Sequence, residues 1–143
     1  MATCLPLCAR VHYSWCANPD IVVERGDTLV FCAGALADAY VALGGDVLFC
    51  GKPYAPIYEL ALATATRLRG GETPVRDRVL AIGDSVRTDL TGASAFGLDC
   101  LFVTSGIHAE QYGSRETPDL GALNTLFAQS GVAPRAVMRR LAW

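Results

Sequence analysis

The sequence has little charge and no imbalance of sign. Twelve Lys and Arg stand against fourteen Asp and Glu, a formal −2 over 143 residues. No clustered basic face of the kind nucleic acid requires can be drawn from them. Only Arg135, Arg139 and Arg140 crowd together, and the solvated face of a helix accounts for them, so no nucleic-acid partner is expected. Long apolar runs are missing too: no uncharged stretch reaches the roughly 18 residues of a membrane-spanning helix, so no membrane partner is expected. The first dozen residues lack the basic start and clean apolar core of a secretory signal, which makes a cytoplasmic address the expectation. A disulfide framework is not expected despite six cysteines, because the chain is too long and too periodic for a small stapled scaffold. Cys32, Cys50 and Cys100 lie in apolar surroundings, where cysteine behaves as a small hydrophobe. Cys4, Cys8, His12 and Cys16 recur every four residues, a helical spacing for soft metal ligands. Pro6 and the aromatic Tyr13-Ser14-Trp15 argue against a continuous helix there, and the spacing reads as coincidence.

What the sequence does contain is alternation. "CAGALADAYVALGG" has the pattern of a helix closed by Gly44-Gly45, and "DVLFCG" follows as a short strand. In "KPYAPIYELALATATRLRGG" the stripe Ile57, Leu60, Ala61, Thr64 and Leu68 predicts one buried helix face. "RVLAIGD" is the kind of apolar strand that parallel sheets bury on both faces. A helix is expected from about Thr88 to Phe96 with Gly97 as its stop, then the strand "CLFVTSG". Thr117-Pro118-Asp119 should open a last helix as cap, first-turn proline and acidic first turn. Its buried face would be Leu120, Leu123, Leu126 and Phe127, with Gly131 as its end. Strand-helix-strand-helix order implies an α/β fold with a parallel sheet and right-handed crossovers.

Ligands of such sheets sit beyond the carboxyl ends of the strands. There the sequence puts Gly51-Lys52, Gly83-Asp84 and Thr104-Ser105-Gly106. In "VLAIGDSVRTDLTG" two carboxylates, Asp84 and Asp89, stand five positions apart at the mouth of a buried strand. Carboxylates there need a partner: a metal ion, a base, or a helix N-terminus. Asp84 could hold magnesium, which is usually bound by one or two carboxylates plus phosphate oxygens and water. Lys52 could give a phosphate a positive point charge, and the two together suit phosphoryl chemistry. The plainer alternatives are a turn aspartate and an exposed lysine. Thr88 and Asp89 fall at a helix start, where capping explains Thr88 and the free N–H groups explain Asp89. Asp89 could also support the site by orienting Lys52 or a metal-bound water.

"GKPYAPIYELAL" followed by "AIGDSVRTDLTGASAFGLDCLFVTSGIH" resembles the C-terminal half of a haloacid dehalogenase (HAD) superfamily phosphohydrolase. The closer likeness is to class IIA, in which an α/β cap is inserted into the core. "CANPDIVV" and "CAGALADAY" are similar to that group's cap-to-core segment. The resemblance implies a Rossmann-like, three-layer α/β/α parallel sheet without its N-terminal strands and most of its cap. Residues 1–15 would be unassigned, 16–47 a remnant of the cap and its connection, and 48–143 the C-terminal half of the core. It also implies a magnesium cofactor, a small phosphorylated substrate, and an aspartyl-phosphate intermediate. Lys52 would neutralise the nucleophile and the phosphoryl group, Asp84 would be the magnesium ligand, and Asp89 the second acid of that motif. Asn18 and Asp20 would lie in a cap-side segment that shapes substrate access, or simply form a turn capped by Asn and Pro.

The family's nucleophile sits in an N-terminal Asp-x-Asp motif, and its first Asp attacks phosphorus. No two of the nine aspartates here lie two positions apart. The expectation is therefore a chain inactive alone, with an open apolar edge on the "VLAIGD" strand that invites self-association. The alternative is a non-catalytic α/β module that binds phosphate, nucleotide or a protein partner at the same strand ends.

Overall fold

A computed structural model describes residues 13–26, 28–106 and 108–142. The cysteine-histidine spacing at Cys4, Cys8 and His12 lies outside them. The chain divides into two compact units between Ile57 and Tyr58.

In the first unit, β1 (Tyr13–Cys16) and β4 (Asp46–Phe49) run parallel, with Tyr13 opposite Asp46 and Cys16 opposite Phe49. Helix α1 (Ala33–Ala42) packs on both strands. It ends where expected, with Gly44 at φ +84°. Between β1 and α1 comes an antiparallel hairpin, β2 (Val22–Arg25) and β3 (Thr28–Phe31). The helix starts directly against the preceding loop: a Cβ on Gly34 would overlap the Pro19 carbonyl. Strand β4 therefore belongs to a two-stranded sheet with β1, not to the sheet that carries the later strands.

Helix α2 (Ala55–Leu68) follows. Its predicted buried stripe is corrected: Ile57, Leu60 and Leu68 are exposed, and Tyr58 is the residue that is buried, its ring stacked 5.2 Å from Phe96. Periodicity finds an apolar face but does not guarantee something to cover it.

The second unit is built on a three-stranded parallel sheet in the order β5 (Leu80–Gly83), β6 (Asp99–Val103), β7 (Ala136–Met138). A π-helical turn (Val86–Leu90) leads from β5 into α3 (Thr91–Phe96), which Gly97 stops at φ +74°. Helix α4 (Leu120–Ser130) packs Leu123 and Phe127 into a core with Leu90, Phe102 and Tyr112. Leu120 is exposed, contrary to the predicted face. Asp119, not Thr117, caps α4, its Oδ1 accepting the N–H groups of Gly121 (2.7 Å) and Ala122 (3.1 Å). A second correction concerns Arg135 to Arg140: this stretch holds β7, not a solvated helix, since Ala136-Val137-Met138 pair with the free edge of β6. Strand β5 is less buried than its apolar sequence predicts, with Leu80 50% and Ile82 47% exposed. Among the described residues its only ladder partner is β6.

Candidate functional site

β5 ends at Gly83, and Asp84 and Ser85 follow before the chain turns back as a π-helix. The width of that turn shows at the Ser85 carbonyl, which accepts both the Asp89 and Leu90 N–H groups at 3.0 Å. The Ser85 hydroxyl accepts the Thr88 N–H (3.3 Å), and the Thr91 hydroxyl donates to the Val86 carbonyl (2.7 Å). Such turns recur at functional sites because they re-aim a side chain without ending the helix.

The side chain re-aimed here is Asp89. It is only 6% exposed, and its Oδ2 accepts the backbone N–H groups of Asp84 and Ser85, each at 3.1 Å. Burying a carboxylate without donors would be strongly unfavourable, and N–H donors to a charged acceptor are among the stronger hydrogen bonds. Gly83 has to be glycine for this: a Cβ there would overlap the Asp89 carboxyl group. Asp89 thus pins the backbone that carries Asp84.

Asp84 is partly buried. On its other side lies the end of β6, where a Cβ on Gly106 would overlap the Asp84 carboxylate. The Thr104 N–H donates to the Met138 carbonyl (2.9 Å) and the Ser105 N–H to the Arg139 carbonyl (3.0 Å), so β7 fixes this wall. Of the three strand ends expected on one sheet edge, Gly83-Asp84 and Thr104-Ser105-Gly106 meet, whereas Gly51-Lys52 follows β4, which pairs with β1 in a separate sheet. The carboxylates are felt by their neighbours. Burial first, and Asp84 second, push the Tyr112 phenol up to about 12. Burial, then Asp89, raise Cys100 to about 11 and Tyr58 to about 12.

This arrangement fits a hard divalent cation. A single oxygen donor, Asp84, is presented in a cradle too tight for a Cβ, and magnesium accepts one or two carboxylates with phosphate and water completing its shell. Among the described residues no cluster of three or more His, Cys, Asp or Glu is arranged to hold a metal. Asp84 could supply one carboxylate to such an ion, and the described residues do not form an all-protein cage around it.

Lys52 belongs to the first unit. After β4, Gly51-Lys52-Pro53 form a turn closed by the Tyr54 N–H to the Gly51 carbonyl (3.0 Å), with Tyr54 stacked on Phe49 at 4.8 Å. Lys52 is exposed and its bond to Pro53 is cis. Gly51 packs so closely on the Ala17 carbonyl and the Pro19 ring that no side chain fits. The loop of Asn18 and Asp20 and the turn of Lys52 are therefore neighbours. Asn18 Oδ1 accepts the Asp20 N–H (3.2 Å), and its amide donates to Cys32 Sγ (3.1 Å). This is the local turn geometry that Asn-Pro favours.

Sequence reasoning missed Gly83, Gly106 and Tyr112. The glycines were legible only as strand ends. Tyr112 had one signal, a lone aromatic in the polar stretch from His108 to Asp119.

A model of the HAD-hydrolase-like family matches residues 49–136. Among solved structures, a haloacid dehalogenase-like hydrolase from Brucella suis is 41% identical with a TM-score of 0.71, covering 99% of this chain and 50% of its own. A possible sugar phosphatase of the HAD superfamily from Cytophaga hutchinsonii is 21% identical with a TM-score of 0.72, covering 99% of this chain and 46% of its own. A glycerol phosphate phosphatase from Mycobacterium tuberculosis, in complex with magnesium, is 29% identical with a TM-score of 0.53, covering 73% and 29% respectively. No curated protein gives a significant match. The chain spans about half the length of the first two of these structures.

Proposed function

Because the chain belongs to the HAD-like hydrolase family, we propose that it is the lysine- and metal-bearing half of a phosphohydrolase acting on a small phosphate ester. The observation that carries this reading is the Asp89 clamp, two backbone N–H bonds at 3.1 Å that fix Asp84 at a strand end. In it Asp84 holds magnesium, and Asp89 keeps Asp84 in place. A bound magnesium ion would neutralise charge on the phosphoryl oxygens. Lys52 lends its ammonium charge to the same phosphate and to the nucleophile. Asn18 and Asp20 shape the turn beside Lys52 on the substrate side. The magnesium in the mycobacterial glycerol phosphate phosphatase supports the choice of ion.

The attacking carboxylate, which would become an aspartyl phosphate, is supplied by polypeptide outside this sequence, since no Asp-x-Asp pair occurs in it. The half-exposed Leu80 and Ile82 of β5 support completion of the sheet by a further strand. Without that strand the chain self-associates through the β5 edge. Ile82→Lys should then lower the concentration-dependent mass seen in sedimentation.

The test is to co-express the chain with the first half of the Brucella relative and assay p-nitrophenyl phosphate. Phosphate release is expected only with both halves and magnesium. It should fall by about 10²-fold or more in Lys52→Ala or Asp84→Asn, the scale seen when one group stabilising transition-state charge is removed. Turnover by this chain alone, or full activity in Asp84→Asn, sinks the reading. Ligand-dependent thermal stabilisation without turnover in the completed protein would favour a non-catalytic binding module.

A further inference from the structure

We propose that Tyr112 is a positioning residue for the Asp84 carboxylate, acting through the backbone of Thr104 and the glycine wall at Gly106. The inference rests on the reading of Asp84 as a metal ligand. Tyr112 is 1% exposed and is anchored at both ends. Its backbone carbonyl accepts the Asp119 N–H (2.6 Å) at the start of α4. Its ring stands edge-on to Phe102, centroids 6.3 Å apart. Its hydroxyl donates to the Thr104 carbonyl across 3.2 Å.

That carbonyl is the link. Thr104 is itself 1% exposed, and its N–H is already committed to Met138. The phenol thus holds the Thr104 carbonyl while the Met138 carbonyl holds its N–H. Two residues later Gly106 stands where any Cβ would overlap the Asp84 carboxylate. The position of that wall therefore depends on the Tyr112 hydroxyl through the Thr104 carbonyl. Removing it takes that donor from a buried carbonyl and lets the Thr104–Gly106 segment shift. A metal ligand whose outer support is lost typically weakens metal binding by about 10–100-fold.

Manganese ion serves as the probe, its affinity for the protein completed with the first half of the Brucella relative read by water-proton relaxation. Tyr112→Phe should weaken it about tenfold, the low end of that range. Phe127→Leu, which loosens the same core without touching the Thr104 carbonyl, should lower the melting temperature and leave manganese affinity unchanged. Unchanged affinity in Tyr112→Phe, or an equal loss in Phe127→Leu, overturns the inference. Asp84→Asn separates it from the underlying reading: if that variant binds manganese like the wild type, Asp84 is not the ligand. The wall is then judged in the metal-free chain by amide resonances. Those of Asp84 and Gly106 should move in Tyr112→Phe and stay in Phe127→Leu; if they stay in both, the inference fails.

Discussion

The two compact units use a similar apolar vocabulary to opposite effect. In the second, Phe102, Tyr112, Leu90 and Leu123 are all but sealed from solvent. In the first, Cys16 and Ala37 are the buried hydrophobics among the described residues, while Trp15 (74% exposed), Phe31 and Leu36 stand open. Apolar content alone does not make a core; it needs a second layer to close over it. The second unit has that layer in α4, and its site is over-determined by backbone hydrogen bonds. The first has one helix against two short strands, and its hairpin strand β3 is exposed along its length.

The sharpest way to break this contrast is a pair of truncations. Phe102→Ala should destabilise the chain by about 3–5 kcal/mol, whereas Leu36→Ala should stay within about 0.5 kcal/mol, both by urea denaturation. Equal losses would erase the distinction. Next comes the clamp: Asp89→Ala leaves the Asp84 and Ser85 N–H groups without their acceptor and should remove about 1–3 kcal/mol. Manganese binding should be lost with it, and retained binding would show that Asp84 needs no such support.

Alkali should act on the second unit in the same sense. Burial, then Asp89, push the Cys100 thiol from its ordinary 9.0 up to about 11, so between those values the unfolded chain has released a proton that the folded chain keeps. Its contribution is whole below pH 9 and falls away as pH rises towards 11. The urea midpoint should therefore drop across that window, and drop less in Cys100→Ala. A slope unaltered by the substitution would mean that Cys100 is not the group responsible. The smallest effect expected is that of Asp119→Ala, about 1 kcal/mol for a lost helix cap, with α4 amides exchanging faster.

Much of the second unit was legible in the sequence because its signals are local. Gly97 and Gly131 stop their helices at positive φ as expected, and "RVLAIGD" and "CLFVTSG" hold β5 and β6 as neighbours. That backbone N–H groups answer the Asp89 carboxylate was legible as well, though not that they would be those of Asp84 and Ser85. What could not be read is non-local. Nothing in "DVLF" says that it pairs with "YSWC", and nothing in "AVM" says that it will find the edge of β6. The exposed stripe of α2 fails for the same reason, since periodicity reports a face and not its cover. Tyr112 stood out only as a lone aromatic, and its role was not legible because its partner is a backbone carbonyl, which leaves no trace in side-chain identity.

The five-residue interval between Asp84 and Asp89 is the wide turn spelled out along the chain. Removing one residue from Val86–Thr88 would tighten that turn to an ordinary α-helical pitch and swing the second carboxylate about 100° around the axis, away from both amides. A single-codon deletion there should be as damaging as losing the aspartate itself, although every acidic group would still be present.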